Sequence, residues 1–149
     1  MLKRLVLISA VLALSFGIAF SGPIGQTVIS ATTLTNVTTG VNGTVYIGDA
    51  DKKAFFVTNT LNGTGLQFNV SMQGSYDNTS WATVSFNDYT NGSYYVTPLT
   101  LKILTANSTY VFWPDTGTAL PYTKVIIQSN ATALNWINIT CSVFKKTSN

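Results

Sequence analysis

Residues 66–86, LQFNVSMQGSYDNTSWATVSF, constrain the fold more than any other stretch of the chain. Phe68, Val70 and Met72 alternate with Asn69, Ser71 and Gln73, the period of a strand with one face buried and one wet. Gly74-Ser75-Tyr76-Asp77-Asn78 is turn chemistry, and Trp81-Ala82-Thr83-Val84-Ser85-Phe86 begins a second alternating run. The segment predicts a β-hairpin with an apolar face and a polar face. No residue in it describes a reaction.

The same punctuation recurs along the chain. Strand signals at 45–47 and 54–60 are separated by Gly48-Asp49-Ala50-Asp51, and Asn62-Gly63-Thr64-Gly65 turns the chain into the hairpin. After Asn91-Gly92 comes a run over 94–104, in which Leu99, Leu101 and Ile103 alternate with Thr100 and Lys102. Residues 110–113, 122–129 and 135–144 complete the set, and no stretch after Phe20 has helical spacing. Short strands at such intervals predict an all-β fold, a single antiparallel β-sandwich of jelly-roll type. Its expected core is Phe68, Val70, Met72, Trp81, Leu99, Leu101, Val125, Ile127, Ile137, Ile139 and Cys141.

The amino terminus reads as an address. Lys3 and Arg4 precede an apolar run over 5–20, and small residues surround Ser21-Gly22, so residues 1–22 are expected to be a cleaved signal peptide. The competing reading is a retained anchor, because the run approaches a bilayer span of about 20 residues. A type IV pilin site would need glycine after the basic pair, where Leu5 stands. The expected location is secreted, extracellular or at the cell surface, with membrane contact only through an uncleaved signal. Without the signal, six lysines face five aspartates, a net charge of +1. Lys52-Lys53 and Lys145-Lys146 are then the only basic clusters, too few to track phosphates, so no nucleic-acid partner is expected. Cys141, the single cysteine, falls in the inward set Ile137, Ile139, Cys141, Val143 and reads as a buried thiol.

Residues 23–44 are rich in Thr and Val, yet their apolar positions follow no firm period. They read as an extended amino-terminal segment before a sandwich domain at 45–149. Val28, Ile29, Leu34 and Val37 are candidate pocket fillers if this segment pairs with a neighbouring subunit as an added strand. A flexible leader and an ordinary first strand folded on its own domain are the competing outcomes.

Nine Asn-x-Ser/Thr sequons begin at Asn36, Asn42, Asn62, Asn69, Asn78, Asn91, Asn107, Asn130 and Asn138. The Asn, Ser and Thr content alone predicts roughly three, so the excess points to an N-glycosylated protein with N-linked glycans as its covalent modification. Asn42, Asn62, Asn78, Asn91, Asn107 and Asn130 fall in turn or loop signals. Asn69 and Asn138 lie mid-strand on the outward parity.

Catalytic chemistry is scarce. The chain has no His and no Glu, and its carboxylates are scattered aspartates, so no enzyme activity, cofactor or metal site is expected. Asp49-x-Asp51 is far from a calcium loop and reads as a solvated turn. Trp136 and Phe144 share outward parity with Asn138 and are candidate contacts for a partner or a sugar.

The run GSYDNTSWATV at 74–84 resembles the S-x-D-x-x-x-W-x-x-V signature of discoidin-type jelly rolls and related phage tail-associated sandwiches. The resemblance implies the fold and no binding residues. Signal peptide, Thr-rich amino-terminal segment, one jelly-roll domain and many sequons together are also similar to the secreted, N-glycosylated subunits of archaeal threads and kindred extracellular fibrils. That resemblance, of organisation rather than motif, implies a head-to-tail homopolymer in which the first strand of one subunit completes the sandwich of the next. A monomeric secreted carbohydrate- or surface-binding module is the alternative.

Overall fold

The computed structural model describes residues 24–34, 40–48, 52–62, 67–90, 98–115, 120–129 and 136–146. They form ten strands: β1 (Ile24–Leu34), β2 (Gly40–Tyr46), β3 (Lys52–Asn62), β4 (Phe68–Ser75), β5 (Ala82–Val84), β6 (Phe86–Asp88), β7 (Lys102–Leu104), β8 (Ser108–Pro114), β9 (Tyr122–Ser129) and β10 (Trp136–Lys146). One sheet has the order β1-β10-β3-β8-β6; the other runs β2-β9-β4-β5, with β7 also on β4. Every named pairing is antiparallel.

The fold is an all-β sandwich, wound as a jelly roll. Strands β1 to β4 alternate between the sheets, and late strands return beside early ones: β10 lies between β1 and β3, and β9 between β2 and β4. The hairpin expected at 66–86 is present, with Met72 opposite Val84 and Gly74 opposite Ala82. Beyond Val84 the chain turns a corner at Ser85. β5 therefore belongs to one sheet and β6 to the other, which closes that side of the sandwich.

Alternation decides the interior. Phe68, Val70 and Met72 of β4, Val125 and Ile127 of β9, and Ile137, Ile139, Cys141 and Val143 of β10 are buried as their parity requires. Four fully buried phenylalanines, Phe55, Phe68, Phe86 and Phe112, fill the space between the sheets. Phe86 and Phe112 meet edge to face with centroids 5.2 Å apart. Asn59 is buried without cost: its Nδ2 donates to the Ala106 carbonyl at 3.1 Å and its Oδ1 accepts from the Ser108 amide.

Two expected core residues, Trp81 and Leu101, lie elsewhere. Trp81 is half-buried, and the Lys124 ammonium sits 3.8 Å above its ring. Leu101 is exposed, while Leu99 is half-buried and packs against the core; residues 98–104 do not form one continuous strand. Among the described residues 98–104, β7 is the regular part, and Leu99 makes an isolated bridge to Phe86. β1 and β2 lie at the ends of the two sheets, and residues 40–44 are part of β2.

Candidate functional site

The edge formed by β1 and β10 is the least regular part of the sandwich. Beside β3, β10 keeps perfect register over eleven rungs, from Trp136↔Asn62 to Lys146↔Lys52. Beside β1 the register shifts twice: Thr27 faces Ser142, Ile29 faces Cys141 and Thr32 faces Ile139. Six residues of β1 therefore span four of β10, leaving Val28 and one of Ser30 or Ala31 as extra bulged residues. At the interruption an open groove of about 450 Å³ lies between Thr27, Ser30 and Ala31 on one strand and Thr140, Cys141 and Ser142 on the other.

The bulges explain why no period was visible in the sequence here. Ile29 and Leu34 are five residues apart, which in a regular strand puts them on opposite faces. Both are 3 % exposed, because the extra residue between them restores Leu34 to the inward side, opposite Ile137. Val28 is half-buried at the first bulge. Its carbonyl lies directly over Gly43 of β2, where any Cβ would overlap it. Of the four candidate pocket fillers, Ile29 and Leu34 enter the core and Val28 packs against it, while Val37 lies outside the described residues. In the single chain β1 occupies the edge of its own sheet, so the contacts a donated strand would make are made in cis.

Cys141 lies beneath this joint, 1 % exposed, and burial pushes its thiol up to about 12. A thiol so buried is held protonated and unreactive.

The sequons divide by structure. Asn78 occupies the β4–β5 loop with φ 62°, the left-handed conformation that Asn tolerates, and is exposed. Asn42 lies within β2 rather than in a turn, Asn62 ends β3, and Asn138 is mid-β10; all three are exposed. Asn107 accepts the Leu61 amide at 2.6 Å through Oδ1, a bond that does not engage Nδ2, the atom that would carry a glycan. Asn69 is on the outward parity but half-buried between Ile103 and Gln128, with Oδ1 sealed from solvent and without a hydrogen-bond partner. Asn36, Asn91 and Asn130 lie outside the described residues.

Two aspartates do structural work. Asp77 accepts from the amides of Ser80 and Thr79 and the hydroxyls of Ser75 and Ser80, which hold its carboxyl well below the usual range. The S-x-D-x-x-x-W signature is therefore a rigid loop, with Ser75 and Asp77 fastening it and Trp81 at its exit. At Asp88 burial pushes the carboxyl up, but the Thr90 hydroxyl and amide and the Lys102 ammonium at 2.9 Å outweigh it and leave the pKa lowered. This cluster joins β6, β7 and β8. Sequence reasoning missed it, because Asp88 and Lys102 belong to separate runs.

Aromatic rings stay at the surface of the first sheet. Phe144 is 41 % exposed and meets Phe56 edge to face at 5.0 Å. Trp113 is 37 % exposed beside Tyr89, centroids 5.1 Å apart. Trp136 faces Asn62 in the backbone register, and its side chain lies outside the described residues.

No family model matches the chain. No curated protein matches it either. Among solved structures it is similar to PirA, at 9 % identity and a TM-score of 0.45 over 87 % of this chain and 99 % of that one. It is also similar to the SPBc2 prophage-derived protein YomS, at 11 % identity and 0.48 over 83 % and 94 %. A third similar structure is the CBM22-1–GH10 portion of Clostridium thermocellum endo-1,4-beta-D-xylanase 10B, at 15 % and 0.45; the match covers 90 % of this chain and 28 % of that one. All three are β-rich folds.

Proposed function

We propose that the chain is the structural subunit of a secreted, N-glycosylated filament, assembled when each copy gives β1 to the β10 edge of the next. The observation that carries this reading is the position and hold of β1: it is the first strand among the described residues, it lies at a sheet edge, and its ladder to β10 is interrupted while that of β3 is continuous. Such a strand is the easiest part of a sandwich to open locally. β1 and the next strand, β2, belong to different sheets, so β1 can leave its edge without breaking a ladder to β2. Strand donation is heterologous, so it propagates as an open chain of subunits. It would also hold the polymer without disulfides, in keeping with the lone buried Cys141. The partners are then copies of the same chain. The resemblance of the sequence, in its organisation, to archaeal thread-like fibril subunits is in keeping with the same reading.

The exposed rings of Phe144 and Trp113 favour a second reading, a monomeric module that stacks on sugars. Negative-stain microscopy of the mature chain separates the two. Filaments are expected from the wild type. Wild-type protein that stays monomeric at every concentration would favour the sugar-binding module.

A further inference from the structure

We infer that a glycan on Asn138 is a clamp: its first sugars lie in the hydroxyl-lined groove between β1 and β10 and hold the edge strand where its own ladder is interrupted. This rests on the glycosylation proposed above, while the groove itself is present in the bare chain. Position selects the occupant. Asn138 and Thr140 are both exposed on the outward parity of β10, about 7 Å apart at the rise of a strand. Thr140 lines the groove and is also the hydroxyl residue of the Asn138-Ile139-Thr140 sequon, so a sugar attached at Asn138 begins at the groove's rim. Asn62 of β3 is more remote: it faces Trp136, four residues from Thr140 rather than two. Asn42 belongs to β2, in the other sheet.

The chemistry of the groove selects the same occupant. Thr27 and Ser30 on one side and Thr140 and Ser142 on the other carry hydroxyls, each able to donate and to accept, and Ile29 and Cys141 are buried at its base. No charged side chain lines it, so it suits a neutral polyol better than a phosphate or a metal ion. Its volume of about 450 Å³ falls within the range of small-molecule pockets, roughly 300–1,000 Å³. A free sugar would leave so open a groove readily, whereas a tethered one stays beside it at an effective concentration on the order of millimolar. A sugar seated there touches both strands at Ser30 and Ala31, within the second register shift. In a polymer joined by donated strands, the acceptor's glycan would fasten the donor's β1.

Hydrogen exchange in residues 24–34 reads the clamp. Protein made in its own source is compared with Asn138→Gln and Asn62→Gln variants from the same host, after glycopeptide mass spectrometry has established which sequons are occupied. Loss of the Asn138 glycan is expected to speed exchange in 24–34 at least about threefold and to leave the Phe55–Asn59 segment unchanged, while Asn62→Gln should stay within about twofold of wild type. The same variants expressed without glycosylation separate the sugar from the side chain: there Asn138→Gln should match the wild type. Asn138 bare in the native protein, unchanged exchange on losing its glycan, equal acceleration by Asn62→Gln, or the same acceleration by Asn138→Gln in the unglycosylated chain would overturn the clamp. Asn138 bare with other sequons occupied would overturn the clamp and leave the glycosylated filament standing. A β1 that loosens only on losing the Asn138 glycan, in a chain that never forms filaments, would overturn the polymer and leave the clamp.

Discussion

At the scale of single residues, the sandwich is held by rings and by a few committed polar groups. Phe112 is fully buried against Phe86, so Phe112→Ala should cost about 3–5 kcal/mol in chemical denaturation. Trp81→Ala should cost only about 1 kcal/mol, because the ring is half-buried and its defined partner is the Lys124 ammonium. The sequence invited the opposite ranking. Trp81 looks like core because its run alternates, yet it lies at the loop exit before β5, where parity does not yet bind it to the interior. Asp88 shows what no alternation pattern can reveal. Its lowered pKa means that the unfolded chain takes up a proton there first, so its contribution is complete above the ordinary aspartate range near pH 4 and is lost as pH falls through the lower folded value. Thermal melts between pH 6 and pH 2 should therefore show acid destabilisation that is smaller in Asp88→Asn, after allowance for that variant's lower starting stability. An equal pH slope in both proteins would mean that Asp88 does not couple to folding.

Among the elements, legibility followed regularity. β4, β9 and β10 alternate without interruption, and the sequence assigned each of them the correct inward side chains. β1 was unreadable for a physical reason: two bulges within eleven residues turn a period of two into a sequence with no period, and only the register against β10 shows why Ile29 and Leu34 share a face. β5 and β6 were one run in the sequence and are two strands in two sheets, since nothing local marks Ser85 as a corner. The hold on β1 is testable through β2. Gly43→Val places a branched side chain where the Val28 carbonyl rests, and it should loosen β1 while the β3–β8 and β4–β9 ladders persist. Hydrogen exchange should then quicken in residues 24–34 and along the β1-facing amides of β10, with the Phe55–Asn59 segment unchanged. Uniform acceleration across both sheets would show that β1 is not an independently opening unit.

At the scale of the whole molecule, the distribution of sequons and rings on one sheet limits how the proposed filament could be joined. Asn62, Asn107 and Asn138 gather towards one end of the outer face of the first sheet, where Asn138 faces Thr60 and Asn107 caps the Leu61 amide. The rings of Phe144, Phe56 and Trp113 occupy other rungs of the same sheet: Phe144 lies against Gly25 of β1, Phe56 on the neighbouring β3 and Trp113 further across on β8. A glycan cannot be buried in a protein joint, so full occupancy at the first group would confine subunit contacts to the aromatic end. Asn69 differs from the exposed sites, because its side chain is half-buried with Oδ1 sealed. Glycopeptide mass spectrometry of protein purified from its own source should find Asn78, Asn107 and Asn138 carrying glycans, with lower occupancy at Asn69. The two strand sites give the deciding comparison. Both lie on outward parity, so a difference between them reports burial rather than strand direction. Glycans on Asn69 with none on Asn138 would reverse the expected surface and place the subunit joint over the outer face of β10.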